Sequence, residues 1–519
     1  MMTTKVSLLS FSLFSLVVTN GEITKKDIIS WCSTTPHPNP CHHHLMISLS
    51  DRISYHDFRT LTIRAALEQA ISAQSQANNL GNSKSKKRTT VQIDCNNLIT
   101  DTIVQLNATL TTTASLADSQ TWLSTALTNV QTCLSGSHDL NVTRFNSPIL
   151  YGYNVSEMIS NSLAINGALL ASSSSSSETA SYGHGFPDWV TRGDRRKLLE
   201  VVKASVVVSK NGKGHFRSVQ AGVDYAVSRR VGDGRVVVYV KKGVYEENVL
   251  IKSNMSKVML VGDGVRYTVI TGNRSVSDGF TTYSSATVGV DGPGFIARGI
   301  TFRNTAGPEK GQAVALRSSS DLSVFYACTF EGYQDTLFVQ AQRQLYKSCQ
   351  IYGTVDIIFG NAAVVLQNCV IYVRKPLHGQ ANMITAQGRG DPFQNTGISI
   401  HRCQVVAAPD LKNVSGSFKT YLGRPWQQYS RTVVMRSYLG DVVAPEGWSA
   451  WGDSGFALSS LYYGEYQNFG PGGSTEKRVK WPGYRVNMSV NEAAQFSVGN
   501  LIAGRAWLPD TGVPFTDGL

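Results

Sequence analysis

Two aspartates, Asp335 and Asp356, each stand seven residues after a cysteine, Cys328 and Cys349, in consecutive copies of a short repeat. Four stretches align on their cysteines: Cys328-Thr329-Phe330, Cys349-Gln350-Ile351, Cys369-Val370-Ile371 and Cys403-Gln404-Val405. Each sets a cysteine, one spacer and an apolar residue into a strand-like run. A period of about 21 residues is too short for a helix pair and fits one coil of a parallel β-solenoid. Neighbouring coils stack at roughly 4.8 Å, so equivalent carboxylates would lie side by side on one face. Like charges that close resist double ionisation. One pKa rises, and the pair can divide into an acid and a nucleophile or base. Spacing alone leaves a second reading open, two loop aspartates that cap turns.

Other polar groups gather around the pair in sequence. Gln312 lies in Gln312-Ala313-Val314-Ala315, and Gln334 precedes Asp335. Side-chain amides can donate to a developing oxyanion without changing charge. Arg424, in Leu422-Gly423-Arg424-Pro425-Trp426, can orient a carboxylate and favour its ionised form. Trp426 offers a flat apolar face to a sugar ring. Taken singly, each also fits an ordinary role: a turn glutamine, a surface ion pair, a core tryptophan.

These residues need a frame. From Val201 short β-branched runs appear at Val206–Val208, Val236–Val240, Val258–Val261 and Ile300–Phe302, punctuated by Gly, Asn and Asp. A parallel β-helix with inward ladders of Val, Ile, Phe and Cys is expected over 201–519. Residues 22–170 read as helical instead. Ile63, Leu67, Ala70 and Ile71 recur at helical spacing, as do Leu116, Leu123, Leu127 and Val130, which predicts a small antiparallel bundle. Residues 171–200 form a linker, with serines from Ser172 to Ser177 and a basic cluster, Arg195-Arg196-Lys197-Leu198-Leu199, as the expected site for a processing protease. The apolar run Val6–Val18 behind Lys5 reads as a secretory signal over 1–21, too short to span a bilayer. No membrane anchor is expected.

Secretion makes the eight cysteines disulfide candidates. Cys32 and Cys41 would staple an N-terminal hairpin, and Cys95 and Cys133 would tie two helices together. Cysteines at equivalent positions on adjacent coils fall near bridging range, and Cys349–Cys369 is the favoured pair among the other four. No Cys-x-x-Cys occurs, so no metal site is expected, and His42–His44 reads as a helix start rather than a metal tract. Sequons at Asn107, Asn141, Asn154, Asn254, Asn273, Asn413 and Asn487 are candidate glycosylation sites. Of the net charge of +12, residues 201–519 carry +11, with 33 Lys and Arg against 22 Asp and Glu. For a secreted chain an acidic polysaccharide fits that charge better than nucleic acid.

The segments Gly243-Val244-Tyr245-Glu246-Glu247, Gln312-Ala313-Val314-Ala315, Gln334-Asp335-Thr336-Leu337, Asp356-Ile357-Ile358-Phe359-Gly360 and Leu422-Gly423-Arg424-Pro425-Trp426 together resemble the plant pectin methylesterases, in that family's order. The resemblance implies a right-handed parallel β-helix. It implies Asp356 as nucleophile, Asp335 as general acid and then base, Gln334 and Gln312 as oxyanion stabilisers, and Thr282, Gln312, Arg424 and Trp426 as substrate contacts. The implied reaction hydrolyses galacturonate methyl esters of pectin to methanol and free carboxylate, and needs no metal or organic cofactor. A basic surface would favour the increasingly anionic product chain and hence action along contiguous residues. One departure stands out: the family usually has Phe after the nucleophilic Asp, and Ile357 here is expected to remove an aromatic wall from the cleft. Trp31–Cys41 resembles the start of pectin methylesterase inhibitor domains, four-helix bundles with two internal disulfides, which implies an autoinhibitory pro-region. A monomer in the cell wall, with separate inhibitor proteins as further partners, completes the expectation.

Two other classes compete. Parallel β-helices also carry glycosidases and lyases that act on pectin. An inverting glycosidase wants carboxyls roughly 6.5–9.5 Å apart, wider than neighbouring coils give, and no acid cluster suited to a calcium-dependent lyase is seen. A secreted wall-binding or inhibitor protein is the non-enzymatic alternative, and the intact set Asp335, Asp356, Gln334 and Arg424 speaks against it.

Overall fold

From Val206 onward the regular segments are mostly strands of two to five residues, and every strand pair among the described residues is parallel. The computed structural model describes residues 25–45, 55–79, 85–142, 154–175 and 204–519. The expected signal segment and the basic cluster at Arg195–Leu199 lie outside them. Successive coils feed one strand each into three sheets of 11, 8 and 7 strands. Leu316, Leu337 and Ile358 are register partners in the seven-stranded sheet, so the 21-residue step is one turn of a parallel β-helix.

The coil corner explains the cysteine alignment. Ala327, Ser348, Asn368, Arg402 and Arg436 each adopt φ between 48° and 56°, a left-handed conformation that turns the chain in one residue. The next residues, Cys328, Cys349, Cys369, Cys403 and Ser437, point inward and stack in a column. Phe302 and Phe330, then Phe325 and Tyr346, stack beside it in the dry interior. Each such ring contributes about 1.5–3 kcal/mol by leaving water.

The favoured Cys349–Cys369 disulfide is not formed: Cys328, Cys349, Cys369 and Cys403 are all free thiols. In stacked parallel coils equivalent side chains point the same way, about 4.8 Å apart. A disulfide wants Cβ atoms about 3.8 Å apart and converging. Each thiol instead meets backbone: the Cys349 and Cys369 N–H groups donate to the Sγ atoms of Cys369 and Cys403 at 3.4 and 3.3 Å.

The N-terminal part is helical: α1 (Lys25–Ser33), α2 (Pro38–Leu45), α3 (Tyr55–Asn79), α4 (Lys86–Thr109), α5 (Leu116–Asp139) and α6 (Val155–Ser175). Helices α3 to α6 form the bundle around Phe58, Ile63, Leu98, Leu123, Leu127 and Ile159. Cys32–Cys41 joins α1 to α2, and Cys95–Cys133 joins α4 to α5. His42–His44 fall in the last turn of α2 rather than at a helix start.

Helix α5 has a second face. Thr121, Ser124, Thr128 and Thr132 are buried polar residues at helical spacing. They and their neighbours bond to the β-helix. Asn361 donates to Thr128 Oγ1 at 2.8 Å, Gln340 to Asn129 Oδ1 at 3.1 Å, and Arg343 to Asp118 Oδ1 at 2.8 Å. Ser160 of α6 donates to Asp391 at 2.6 Å. Gln340 and Asn361 each directly follow a strand of the seven-stranded sheet, so α5 lies over that sheet.

Candidate active site

Asp335 and Asp356 occupy the same place on adjacent coils, each two residues before register partners Leu337 and Ile358. The Asp335 N–H donates to the Val355 carbonyl at 3.0 Å, which pins the two turns together. Both aspartates are left-handed, with φ of 63° and 51°. Aspartate tolerates that region better than most residues. It sends each carboxyl out of the coil toward a cavity of about 260 Å³.

Both aspartates are only 6 % exposed. Burial therefore pushes both pKa values up, and the two then diverge. Arg424 donates from Nε to Asp356 Oδ1 at 2.9 Å and from Nη2 to Oδ2 at 2.6 Å. This bidentate clamp opposes the rise at Asp356. At Asp335 the neighbouring Asp356 and Asp139 carboxyls add to the effect of burial, and it lies well above the usual carboxylate range. Of the pair, Asp335 is thus pushed further toward holding a proton, while Arg424 favours the charged form of Asp356. The Arg424 guanidinium also faces the ring of Trp451, which lines the same cavity, at 4.2 Å.

The structure brings Gln312, Gln334, Thr282, Arg424 and Trp426 into this cavity with both aspartates. Trp426 lies against the coil because Gly388 has no side chain; a Cβ there would come within 2.7 Å of the ring. Phe359 meets Trp426 edge to face at 6.0 Å and stacks on Phe338 at 4.4 Å. These rings are the aromatic wall. Ile357 does not remove one, contrary to the sequence expectation: it is fully buried among the interior residues of the β-helix and faces away from the cavity. A residue there tunes coil packing rather than substrate fit.

Two contributors escape sequence reading. Trp451 sits in a turn-rich stretch with no periodic signal. The other is the roof: Thr132, Ser135, Gly136 and Asp139 of α5 also line the cavity. The Asp139 carboxylate accepts from the Thr282 N–H at 3.0 Å and from the Thr282 hydroxyl at 2.7 Å. The polar series 121, 124, 128, 132, 135, 139 is readable as a stripe opposite the apolar one. A charged clamp, an acid with an elevated pKa and paired amides form a site suited to acyl transfer at a neutral ester.

Residues 205–505 match the Pectinesterase family, and residues 26–165 match the plant invertase/pectin methylesterase inhibitor family. The chain is 53 % identical over 538 residues to the probable pectinesterase/pectinesterase inhibitor 59 of Arabidopsis thaliana, covering 100 % of both chains. It is 49 % identical over 516 residues to pectinesterase 2 of Citrus sinensis, covering 98 % of each. Among solved structures, carrot pectin methylesterase superposes with a TM-score of 0.60 at 52 % identity, over 62 % of this chain and 99 % of that one. The Aspergillus niger pectin methylesterase gives 0.51 at 28 % identity, over 60 % and 97 %.

Proposed function

The chain belongs to the pectinesterase family, and from that premise we propose that it hydrolyses galacturonate methyl esters of pectin through Asp356 and Asp335, and that its N-terminal bundle restrains it. The bidentate Arg424–Asp356 pair beside the buried Asp335 carries the reading. Asp356 attacks the ester carbonyl carbon. The amide N–H groups of Gln312 and Gln334 receive the charge that develops on the carbonyl oxygen. Collapse expels methoxide, which takes the Asp335 proton and leaves as methanol. Water, giving a proton back to Asp335, cleaves the mixed anhydride at Asp356 and releases the free carboxylate. Secretion through residues 1–21 and proteolysis near Arg195–Leu199 would deliver and unlock the enzyme in the wall.

Restraint is supported by the roof over the cavity. Gly136 approaches the β-helix so closely that a Cβ would lie 3.1 Å from Thr281 Cγ2. Gly136→Trp therefore wedges the contact, and overpacking of about 1–3 kcal/mol weakens docking about 5- to 150-fold. Methanol release from highly methylated pectin should rise accordingly in the intact variant over the intact wild type. Equal release would remove the restraint; shortened polymer without methanol would remove the esterase.

Docking should also take up protons. Asp94 of α4 is 7 % exposed and accepts from the Thr281 hydroxyl across the contact. Burial pushes it up to about 6 from 3.8. Asp101, which accepts from Asn129 and Gln105, is likewise pushed up to about 6 by burial. A group whose docked pKa is raised stabilises docking fully below its free value and loses that contribution as pH rises through the docked value. The contribution of these two groups to docking is thus full below about pH 4 and is lost toward pH 6 and above. With a cleavage site engineered into 176–203 and cut, the bundle should co-elute with the β-helix at about pH 4.5 and separate more at about pH 7. Asp94→Asn should flatten that difference.

A further inference from the structure

Asp139 is poorly placed for the bundle that carries it. It is the last residue of α5, where the negative end of the helix dipole disfavours an anion. Burial against the β-helix raises its pKa further. Its two hydrogen-bond donors come from one residue across the contact, the N–H and hydroxyl of Thr282. It also lies close enough to Asp335 to raise that group. A carboxylate thus stands inside the cavity, beside the reacting pair, on a two-donor seat that belongs to the β-helix.

We propose that Asp139 is an internal surrogate for a substrate carboxylate, and that the Thr282 seat it fills receives the free carboxylate of an already de-esterified galacturonate. The inference rests on the pectinesterase reading of the cavity and specifies how that cavity is regulated. Thr282 can donate twice to an anionic carboxylate, whereas a methyl ester offers it only neutral oxygens and a methyl group. Binding of a partly de-esterified chain and docking of α5 then exclude one another. Stretches already bearing free carboxylates displace the roof most readily.

The test uses the intact chain and two probes, unesterified hexagalacturonate and its fully methylated counterpart, with binding read by calorimetry. Asp139→Asn is nearly isosteric, and circular dichroism verifies its fold. It should bind the unesterified hexamer about tenfold more tightly than wild type, the size expected when one hydrogen-bonded charge is withdrawn from competition. Adding Thr282→Val to that variant should lower affinity for the unesterified hexamer about tenfold and leave the methylated hexamer much less affected. Unchanged affinity in Asp139→Asn would overturn the surrogate. A Thr282→Val loss equal for both hexamers would overturn the carboxylate seat. Methanol release by the same Asp139→Asn sample separates the two readings. Release without carboxylate selectivity sinks this inference alone; selectivity without release, both from the intact chain and after cleavage within 176–203 has freed the bundle, sinks the esterase alone.

Discussion

Asp356→Asn lowers methanol release from methylated pectin by about 10⁴-fold or more, a loss of roughly 5.5 kcal/mol of transition-state stabilisation. The substitution keeps the size and planarity of the side chain, and its amide oxygen still accepts one bond from Arg424. What it removes is the charge that makes an oxygen nucleophilic. In the wild type each Asp356 oxygen spends one lone pair on Arg424 and keeps another for attack. Binding of methylated oligomers should change little, because Trp426 and the glutamines remain, so the loss falls on kcat rather than KM. Far-UV circular dichroism and the melting transition verify the fold. Residual activity within tenfold of wild type would move the nucleophile elsewhere.

Asp335→Asn should lower kcat by about 10²–10⁴-fold, the usual reach of a positioned acid and base. Its pH signature is more telling than its size. Burial and its anionic neighbours hold the Asp335 pKa well above the usual range, so the wild type loses activity on the alkaline side as that proton is lost. Asparagine cannot lose it, and the alkaline limb attributable to Asp335 should vanish. A galacturonate oligomer carrying a phenol-type ester supplies a leaving group that needs no proton. With it the variant should release one equivalent in a burst and then stall, because no base remains to activate water for deacylation. Steady turnover at the wild-type rate would deprive Asp335 of both roles.

The cysteine repeat by itself makes the pairing of Asp335 and Asp356 legible, because a constant period is a statement about stacking. The direction of a side chain within the stack is not in the period. That is why Cys349 and Cys369 invite a bridge they do not form, and why Ile357 reads as a cleft residue although it faces the interior. The bundle is readable from the apolar stripe of Leu123, Leu127 and Val130. The polar stripe on the other side of α5 has meaning only against a partner surface, and Asp139 gains its meaning only from Thr282, which holds it. Trp451 lies far along the chain from both aspartates and meets Arg424 only through the fold.

The left-handed coil corner carries a consequence for how such a cleft can change. Five corners, from Ala327 to Arg436, each turn in one left-handed residue. The steps Cys328–Cys349 and Cys349–Cys369 span 21 and 20 residues, whereas Cys369–Cys403 and Cys403–Ser437 span 34. The corner geometry is the same in short and long turns, and the surplus falls in the segments 374–381, 388–396 and 408–419 between strands. Doubling a loop costs only about 0.6 kcal/mol of closure entropy. The corner acts as a metronome and the rim as free text. Insertions and deletions can therefore redraw the walls around Arg424 and Trp426 without moving either aspartate off the beat.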